Sequence, residues 1–242
     1  MRLYAIGDIH GHLDQLQAAH ALVQRDGGAN AQIVHVGDLI DRGPDSKGVI
    51  SYLLNAQEQG RNWTVLLGNH DRFLIKFLAD PEWIDPGLGT PLHWTVHHNL
   101  GAADTLRSYG IDPDQPLAQL ETQARRAIPV EHQTFMQSLL PYFLHPQGLF
   151  VHAGVRPGVD LQDQTEQDLV WIRKDFLDYP DSFGPLVVHG HTAISAPTHY
   201  GNRVNIDSGA AYGGPLTTIV LEKDQIHLLT DQGRIPLKPE IS

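Results

Sequence analysis

Five short turns in the sequence carry side chains of the kinds that bind metal ions. They are Asp8 and His10 in GDIHG, Asp38 in GDLIDRG, Asn69 in GNHD, His152 in VHAG and His191 in GHT. Carboxylate, amide and imidazole groups without thiolate suit Mn²⁺, Fe or Zn²⁺ rather than a structural cysteine-type zinc site. Each turn alone has a plainer explanation, because Asp and Asn favour turns and helix N-caps and a histidine can simply be buried in a strand. Together, the turns predict one site assembled from five segments.

The spacing within the first turn supports this prediction. Asp8 and His10 are two residues apart, so on an extended segment both side chains point to the same side and one ion can bind both. The glycines beside the ligands allow the backbone to pass close to an ion or a phosphate.

The elements that must position these turns alternate between strands and helices. Apolar runs at residues 3–6, 33–36 and 63–67 each predict a buried strand before a glycine-containing turn, and helical periodicity follows each of them. The first part of the chain therefore predicts three strand–helix units in series. In open α/β sheets ligands bind beyond the carboxyl ends of the strands, so the first three turns should meet there.

The second half of the chain predicts shorter elements. A hairpin should turn at residues 146–148, and residues 186–189 indicate another buried strand before GHT. Residues 166–176 predict a short helix. The last third predicts short strands with hairpin turns near residues 213–214 and 223–224.

Between these parts, residues 86–141 predict a helical insertion. DPEWIDPGLGTP breaks all periodicity with three prolines and two glycines, and the stretches that follow have helical spacing without a convincing strand. We expect the insertion to lie over the strand-end crevice, within a single domain of residues 1–242. Trp94 and Tyr109 are expected in its core rather than as a platform for base stacking.

Composition narrows the class of protein. The chain has 242 residues, a net charge of -11 and no cysteine, so it has no disulfide framework and no thiolate chemistry. The negative charge disfavours a general surface for nucleic acid or an anionic membrane. A run of about 18 apolar residues is absent, as is a signal peptide, so we expect a soluble cytoplasmic protein without nucleic-acid or membrane partners.

The ordered motifs GDIHG, GDLIDRG, GNHD, His-Ala-Gly and GHT resemble the motif series of the calcineurin-like metallophosphoesterases, and within them the phosphoprotein phosphatase branch. The motifs span residues 7–192 in the family's order. This resemblance implies an α/β (α+β) fold in which a two-sheet β sandwich is flanked by helices, with two divalent metal ions at the strand ends. Mn²⁺ is the expected ion, with Fe or Zn²⁺ as alternatives.

The resemblance also assigns roles to individual residues. Asp8 and His10 would bind the first ion, Asn69, His152 and His191 would bind the second, and Asp38 would bind both. The phosphate would be bound by Arg42, Arg173 and Asn69. His70 would be the general acid, and Asp41 would orient it. Asp71 departs from the glutamate usual in eukaryotic protein phosphatases, and Ala193 stands where the wider superfamily often has a further histidine. His189 has no counterpart among the aligned ligands and is expected to be a strand residue or a supporting group.

The resemblance favours a phosphatase for phosphomonoesters, with phosphoserine or phosphothreonine in a protein, or a small phosphoester, as its substrate. Two ions about 3.5 to 4 Å apart can hold a bridging hydroxide that attacks phosphorus directly. Arginine rather than lysine is expected at the phosphate because its planar guanidinium matches two phosphoryl oxygens.

Two other readings remain open. A dinucleoside tetraphosphate hydrolase shares GNHD and a Gly-Gly-rich tail resembling DSGAAYGGPLT, but typically lacks an aspartate such as Asp41 before Arg-Gly and a threonine after GH. A non-catalytic scaffold on the same fold would have lost ligands, whereas this ligand set is complete.

Overall fold

The structure is a computed structural model that describes residues 2–240. Two β-sheets pack face to face, and helices cover their outer faces, so the predicted sandwich is confirmed. The first sheet has the strand order β11–β10–β9–β1–β2–β3, with β1 Arg2–Ile6, β2 Gln32–His35, β3 Trp63–Val65, β9 Thr218–Glu222, β10 Gln225–Thr230 and β11 Gly233–Pro236. The second has the order β4–β5–β6–β8–β7, with β4 Tyr142–His145, β5 Gly148–Val151, β6 Val187–His189, β7 Thr198–His199 and β8 Arg203–Asn205.

Strand β1 shows why this sequence forms a layered core. Its residues alternate between two environments because successive side chains of a strand point to opposite faces. Leu3 and Ala5 pack into the core between the sheets, whereas Tyr4 and Ile6 pack against the helices. Both faces are apolar, and a strand of this kind is stable only when both are covered.

Eight α-helices are present in residues 2–240. They are α1 Leu13–Gly27, α2 Ser46–Glu58, α3 Asn69–Ala79, α4 Ala102–Ser108, α5 Leu117–Ala127, α6 Val130–Gln137, α7 Glu166–Trp171 and α8 Lys174–Leu177. Helices α1, α2 and α3 follow the first three strands as predicted. Helices α7 and α8 cover the second sheet, with Leu169 and Phe176 packed against Leu149 and Val187. Within the described residues, no helix is both long enough and apolar enough to span a bilayer.

The insertion is helical, as predicted, but most of it packs on other helices. Helix α4 contacts α2, and helices α5 and α6 contact α3. Leu106, Leu120 and Phe135 join the core of the first helical layer. The connecting loops of the insertion reach the strand ends, where Leu88 and Leu100 line the same cavity as the predicted ligands.

Three local predictions were wrong. Residues 213–214 form no hairpin, because the chain there crosses from β8 in the second sheet to β9 in the first through a 3₁₀ turn at Ala210–Tyr212. Residues 166–176 do not form one helix, because Ile172 and Arg173 leave helical backbone angles and separate α7 from α8. Residues 93–100 form turns before α4. The predicted hairpins at 146–148 and 223–224 are present.

Candidate active site

The candidate active site lies where the carboxyl ends of parallel strands from both sheets meet. Strands β1, β2 and β3 are parallel in the first sheet, as are β5, β6 and β8 in the second. The turns that follow five of these strands converge at one edge of the sandwich. They bring together all six predicted metal ligands, each more than nine-tenths buried: Asp8, His10, Asp38, Asn69, His152 and His191.

Asp38 lies between two groups of histidines. Its Oδ2 is 3.4 Å from His10 Nε2, and its Oδ1 is 3.4 Å from His152 Nε2. Two sets of three potential ligand atoms each lie within 4.8 Å of one another, namely His10, Asp38 and His70, and Asp38, His152 and His191. Because Asp38 belongs to both sets and offers one oxygen to each, its position fits a carboxylate that bridges two ions.

Backbone carbonyls orient two of the imidazoles. His10 Nδ1 is 2.9 Å from the Ile40 carbonyl oxygen, and His152 Nδ1 is 2.9 Å from that of Val36. A carbonyl can only accept, so in both rings Nδ1 carries the hydrogen and Nε2 keeps its lone pair. Histidines that bind metals are commonly oriented in this way. Besides Asp38, His10 Nε2 is 3.0 Å from Arg42 Nη1, and His152 Nε2 is 3.1 Å from Asn69 Oδ1.

Two buried ligand atoms of the site have no partner in the described part of the protein. They are Asp8 Oδ1 and His191 Nε2. The other Asp8 oxygen accepts a hydrogen bond from the His191 backbone N–H at 2.9 Å. Burying an unpartnered carboxylate oxygen or imidazole nitrogen is unfavourable, and buried polar atoms are nearly always paired. A cation would supply the missing partner, so this donor set fits a metal ion on each side of Asp38.

The backbone of the site is strained. Among the described residues, six non-glycine residues have φ in the left-handed region, and five of them belong to this site: His10, Asp38, Asp41, Arg42 and His191. Such a conformation costs about 1–3 kcal/mol per residue and persists where the surroundings require it. Here it directs the side chains toward a common centre.

Burial shifts the pKa values of the predicted metal ligands. It lowers the pKa of His10, His152 and His191 and so favours their neutral forms. Burial raises the pKa of Asp8 well above its ordinary value, and neighbouring carboxylates act in the same direction. Burial also acts to raise the pKa of Asp38, but the surrounding histidines, first of all His152, bring it below its ordinary value. Because a ligand carboxylate must be ionised and a ligand imidazole neutral, protons compete with metal ions for this site, and metal affinity should fall in acid.

His70 and Asp41 form the predicted pair. His70 Nδ1 is 2.8 Å from Asp41 Oδ2, and both residues are buried. Asp41 also accepts hydrogen bonds from Trp94 Nε1 at 2.9 Å and from Thr105 Oγ1 at 2.6 Å. Asp41 is thus held by the insertion, and it fixes the ring of His70. The predicted core position of Trp94 agrees with its burial, but its indole N–H also serves the site.

Arg42 lies at the mouth of the site. Its Nη1 is 3.0 Å from His10 Nε2, and its Nε donates to the Asn99 carbonyl oxygen at 3.4 Å. The guanidinium carbon is 5.2 Å from the centre of the Tyr212 ring. Gly101 packs directly on Arg42, because a Cβ there would be only 2.4 Å from the Arg42 nitrogen. Arg42 occupies the position where an anion would meet the ligand cluster.

A cavity of about 300 Å³ extends from the ligand cluster to the surface. Arg173 lines it from the break between α7 and α8, with its guanidinium carbon 5.8 Å from the Trp171 ring centre. The Trp171 ring in turn lies 5.5 Å from the ring of His191. Both predicted arginines therefore line one cavity.

Two residues of the site were given no role from the sequence. Asp71 accepts hydrogen bonds from the backbone N–H groups of Leu39 and Gly68, which ties two ligand turns together. Asp207 lines the cavity after β8, in the turn DSG. The signal for Asp207 was available, because an apolar run ending in an acidic, glycine-containing turn is the pattern that identified the other turns.

His189 does not face the site. It is fully buried in β6, where its Nε2 is 3.4 Å from Arg203 Nη1 and its ring lies 5.0 Å from that of Phe176. Burial lowers its pKa to about 3. It behaves as a neutral strand residue.

Comparison with known proteins identifies the class. The family model described as calcineurin-like phosphoesterase matches residues 1–228, and the chain belongs to this family. The family is one of binuclear metal-dependent phosphoester hydrolases, in agreement with the two ligand sets around Asp38.

Two curated relatives align over most of both chains. The symmetrical bis(5′-nucleosyl)-tetraphosphatase of Ectopseudomonas mendocina is 27% identical and covers 95% of this chain and 98% of its own length. The asymmetrical bis(5′-nucleosyl)-tetraphosphatase PrpE of Bacillus subtilis is 29% identical and covers 88% and 87%.

Solved structures show the same fold. A candidate diadenosine tetraphosphatase superposes with a TM-score of 0.64 at 22% identity, covering 98% of this chain and 94% of that one. A cold-active protein-tyrosine phosphatase of a psychrophilic Shewanella gives 0.62 at 16% identity, covering 98% and 80%.

Proposed function

We propose that the protein hydrolyses a dinucleoside polyphosphate, a bis(5′-nucleosyl) tetraphosphate above all, at a two-metal centre. One observation carries this: a single cavity joins the ligand cluster, two arginines and an exposed aromatic ring. A polyphosphate chain carries several negative charges, and a nucleobase offers a flat face. The names of the relatives support the same substrate class. A dinucleoside tetraphosphate, the alternative substrate in the sequence analysis, is therefore favoured over phosphoserine or phosphothreonine in a protein.

The ligand cluster would hold the ions. Asp8, His10 and Asp38 would bind one ion, and Asp38, Asn69, His152 and His191 the other. When bound, the two ions, Mn²⁺ being the expected pair, would polarise the phosphoryl group and lower the pKa of water.

The remaining residues would bind the substrate and handle its protons. Arg42 and Arg173 would orient the phosphoryl oxygens from opposite sides of the cavity, since a guanidinium can donate two parallel hydrogen bonds to a phosphate. The amide nitrogen of Asn69 would donate to the same group. His70 would act as an imidazolium that donates its Nε2 proton to the departing oxygen and keeps its Nδ1–H on Asp41.

Tyr212 would stack on a nucleobase. It is 70% exposed, which is unusual for an aromatic side chain, and it lies at the rim of the cavity beside Arg42. The residue that orients phosphate is thus next to a ring that can contact the base attached to it. Stacking of a base on an aromatic side chain is worth about 1–3 kcal/mol.

A phosphomonoester is the second candidate, because of the buried His70–Asp41 pair. An oriented proton donor helps most when the leaving group is a strongly basic alkoxide, as it is for phosphoserine. A nucleotide phosphate is a better leaving group and gains less from the same histidine.

A substrate panel distinguishes the two candidates. Metal-loaded protein is assayed with diadenosine tetraphosphate, a phosphoserine peptide and p-nitrophenyl phosphate, and the nucleotide products are separated. We expect kcat/KM to be highest for the dinucleotide. Two molecules of ADP would indicate symmetrical cleavage, and ATP with AMP asymmetrical cleavage. A higher kcat/KM for the peptide would overturn the proposal in favour of the phosphomonoester.

Tyr212→Ala makes the test specific to the nucleobase. Loss of stacking should lower kcat/KM for the dinucleotide by about 5- to 150-fold, which is the range equivalent to 1–3 kcal/mol. Hydrolysis of p-nitrophenyl phosphate should change little. Tyr212→Phe keeps the ring and is the matched control; equal losses on both substrates in the Ala variant would contradict a base-stacking role.

A further inference from the structure

The two sides of the candidate metal centre differ in the number of protein ligands. In the roles proposed above, Asp38, Asn69, His152 and His191 would bind one ion and Asp8, His10 and Asp38 the other. His70 lies beside this second set but is paired with Asp41. Ions that bind oxygen and imidazole commonly take more than three donors. The ion on the Asp8 side would therefore accept a further donor.

Asp207 is a buried carboxylate at this place. It is 5% exposed and lines the same cavity as His10 and Asp38. Its segment packs directly against the turn that carries Asp8, because a Cβ on Gly7 would be 2.3 Å from the Ile206 carbonyl oxygen and 3.7 Å from the Asp207 nitrogen.

Local hydrogen bonds use only part of this side chain. Asp207 Oδ1 accepts from the Gly209 backbone N–H at 3.0 Å and so closes the turn. No hydrogen bond to Oδ2 occurs among residues 2–240. The backbone carbonyl of Asp207 accepts from the Ile194 N–H at 3.0 Å, which anchors the segment beside the turn of His191. The carboxylate is therefore held in place with one oxygen unused.

A cation would stabilise the carboxylates that lie around Asp207. Asp8, Asp38 and Asp207 are three carboxylates buried together, and Asp8 Oδ1 is itself buried without a partner. Like charges in a buried site are stable only when a counter-charge neutralises them. Two divalent ions would provide it.

We infer that Asp207 is an additional anionic group of the metal centre, and that its carboxylate strengthens binding of the ion held by Asp8 and His10. The inference rests on the proposed two-metal function. It gives Asp207 a role that its turn alone would not require, since an asparagine builds the same turn.

Asp207→Asn separates the two roles. The amide oxygen of asparagine can still accept from Gly209, so the turn is kept while the charge and the second anionic oxygen are lost. Metal-free protein is titrated with Mn²⁺ by calorimetry. We expect two ions to bind the wild type, and one of them to bind the variant about 10- to 100-fold more weakly, as is typical when a supporting group of a metal site is removed. The Mn²⁺ electron paramagnetic resonance spectrum should change from that of a coupled pair to that of a single ion at limiting metal.

Asp231→Asn is the matched control, because it removes the same charge from a fully exposed turn. It should leave both affinities unchanged. Wild-type affinity for both ions in a folded Asp207→Asn variant would overturn the inference and leave the two-metal proposal intact. A wild-type protein that binds no Mn²⁺ would instead overturn the two-metal proposal, and the Asp207 inference with it.

Discussion

Two clusters of buried histidines in this protein have opposite properties. The metal-ligand cluster at the strand ends leaves Asp8 Oδ1 and His191 Nε2 unpartnered and is built on strained backbone. The His20–His35 pair, between α1 and β2, is also buried, but all of its ring nitrogens have hydrogen-bond partners. Comparing them shows which features of a buried histidine indicate ligation.

The His20–His35 pair forms a closed chain of hydrogen bonds. The Tyr52 hydroxyl is 3.1 Å from His20 Nδ1, the two Nε2 atoms are 2.9 Å apart, and His35 Nδ1 is 3.2 Å from the Thr64 carbonyl oxygen. One arrangement of hydrogens satisfies every atom: Tyr52 donates to His20, His20 to His35, and His35 to Thr64. The His20 ring also stacks on Trp63, 4.0 Å away.

A cavity of about 290 Å³ lies beside this pair, similar in volume to that of the candidate active site. Volume therefore does not distinguish the two places. Among the described residues, no buried side-chain atom of the His20–His35 pair lacks a partner. Unpartnered ligand atoms, together with left-handed backbone, distinguish the active site from a satisfied histidine cluster, and the number of histidines does not.

The largest expected effect follows from removing the residue shared by both ligand sets. Asp38→Asn should lose at least one ion, because the side chain no longer offers an anionic oxygen to each side. Elemental analysis after desalting measures this directly. His35→Gln, in the satisfied pair, should keep both ions. Full occupancy in Asp38→Asn, or loss of an ion from His35→Gln, would break the distinction between the clusters.

The second prediction concerns His70, which lies within reach of ligand atoms but is paired with Asp41. If His70 delivers a proton, His70→Gln should keep both ions and lower kcat by about 10²- to 10⁴-fold for a poor leaving group. Phenyl phosphate and p-nitrophenyl phosphate are a matched pair, because phenolate needs the proton and nitrophenolate hardly does. Asp41→Asn should show the same pattern in milder form. Equal losses on both substrates, or loss of an ion, would make His70 a ligand instead.

The third prediction tests Arg42 against a structural arginine. Charge-assisted hydrogen bonds are worth roughly 1.5–3 kcal/mol, so Arg42→Ala should weaken inhibition by inorganic phosphate about 10- to 100-fold while metal content stays the same. Arg156→Ala is the control, because Arg156 is exposed and pairs with Asp168 and Asp175. Unchanged phosphate inhibition in a metal-loaded Arg42→Ala variant would exclude a phosphate-binding role.

The sequence predicted the parts of the fold and site that depend on local pattern. Turns such as GDIHG and GNHD follow apolar strands, and parallel strands carry their C-terminal turns to one edge, so the convergence of these ligands could be expected. The sandwich itself came from the resemblance that these motifs carry.

Contacts between distant segments could not be predicted in this way. Trp94 and Thr105 hold Asp41 from the insertion, 53 and 64 residues away in the chain, and no local pattern encodes that contact. The break at Arg173 was also hidden, because helical spacing continues through VWIRKDF although the backbone turns there. Such features depend on how the insertion and the second sheet pack around the site.

The smallest expected effect concerns stability rather than activity. Burial, with repulsion from His35 second, lowers the pKa of His20 to about 2, and burial lowers that of His35 to about 4, from an ordinary value near 6.5. Below pH 6.5 the unfolded chain therefore takes up protons that the folded protein does not, and stability falls as the pH drops toward these values. Between pH 7 and pH 5 this should cost about 2 kcal/mol per histidine. Urea unfolding of His20→Gln with chelator present should show a pH difference smaller by about that amount, whereas the exposed His98→Gln should match wild type. If the change in unfolding free energy between pH 7 and pH 5 were the same in His20→Gln as in the wild type, His20 would be able to take up a proton in the folded protein. The hydrogen-bond chain from Tyr52 to Thr64 would then not keep the pair neutral.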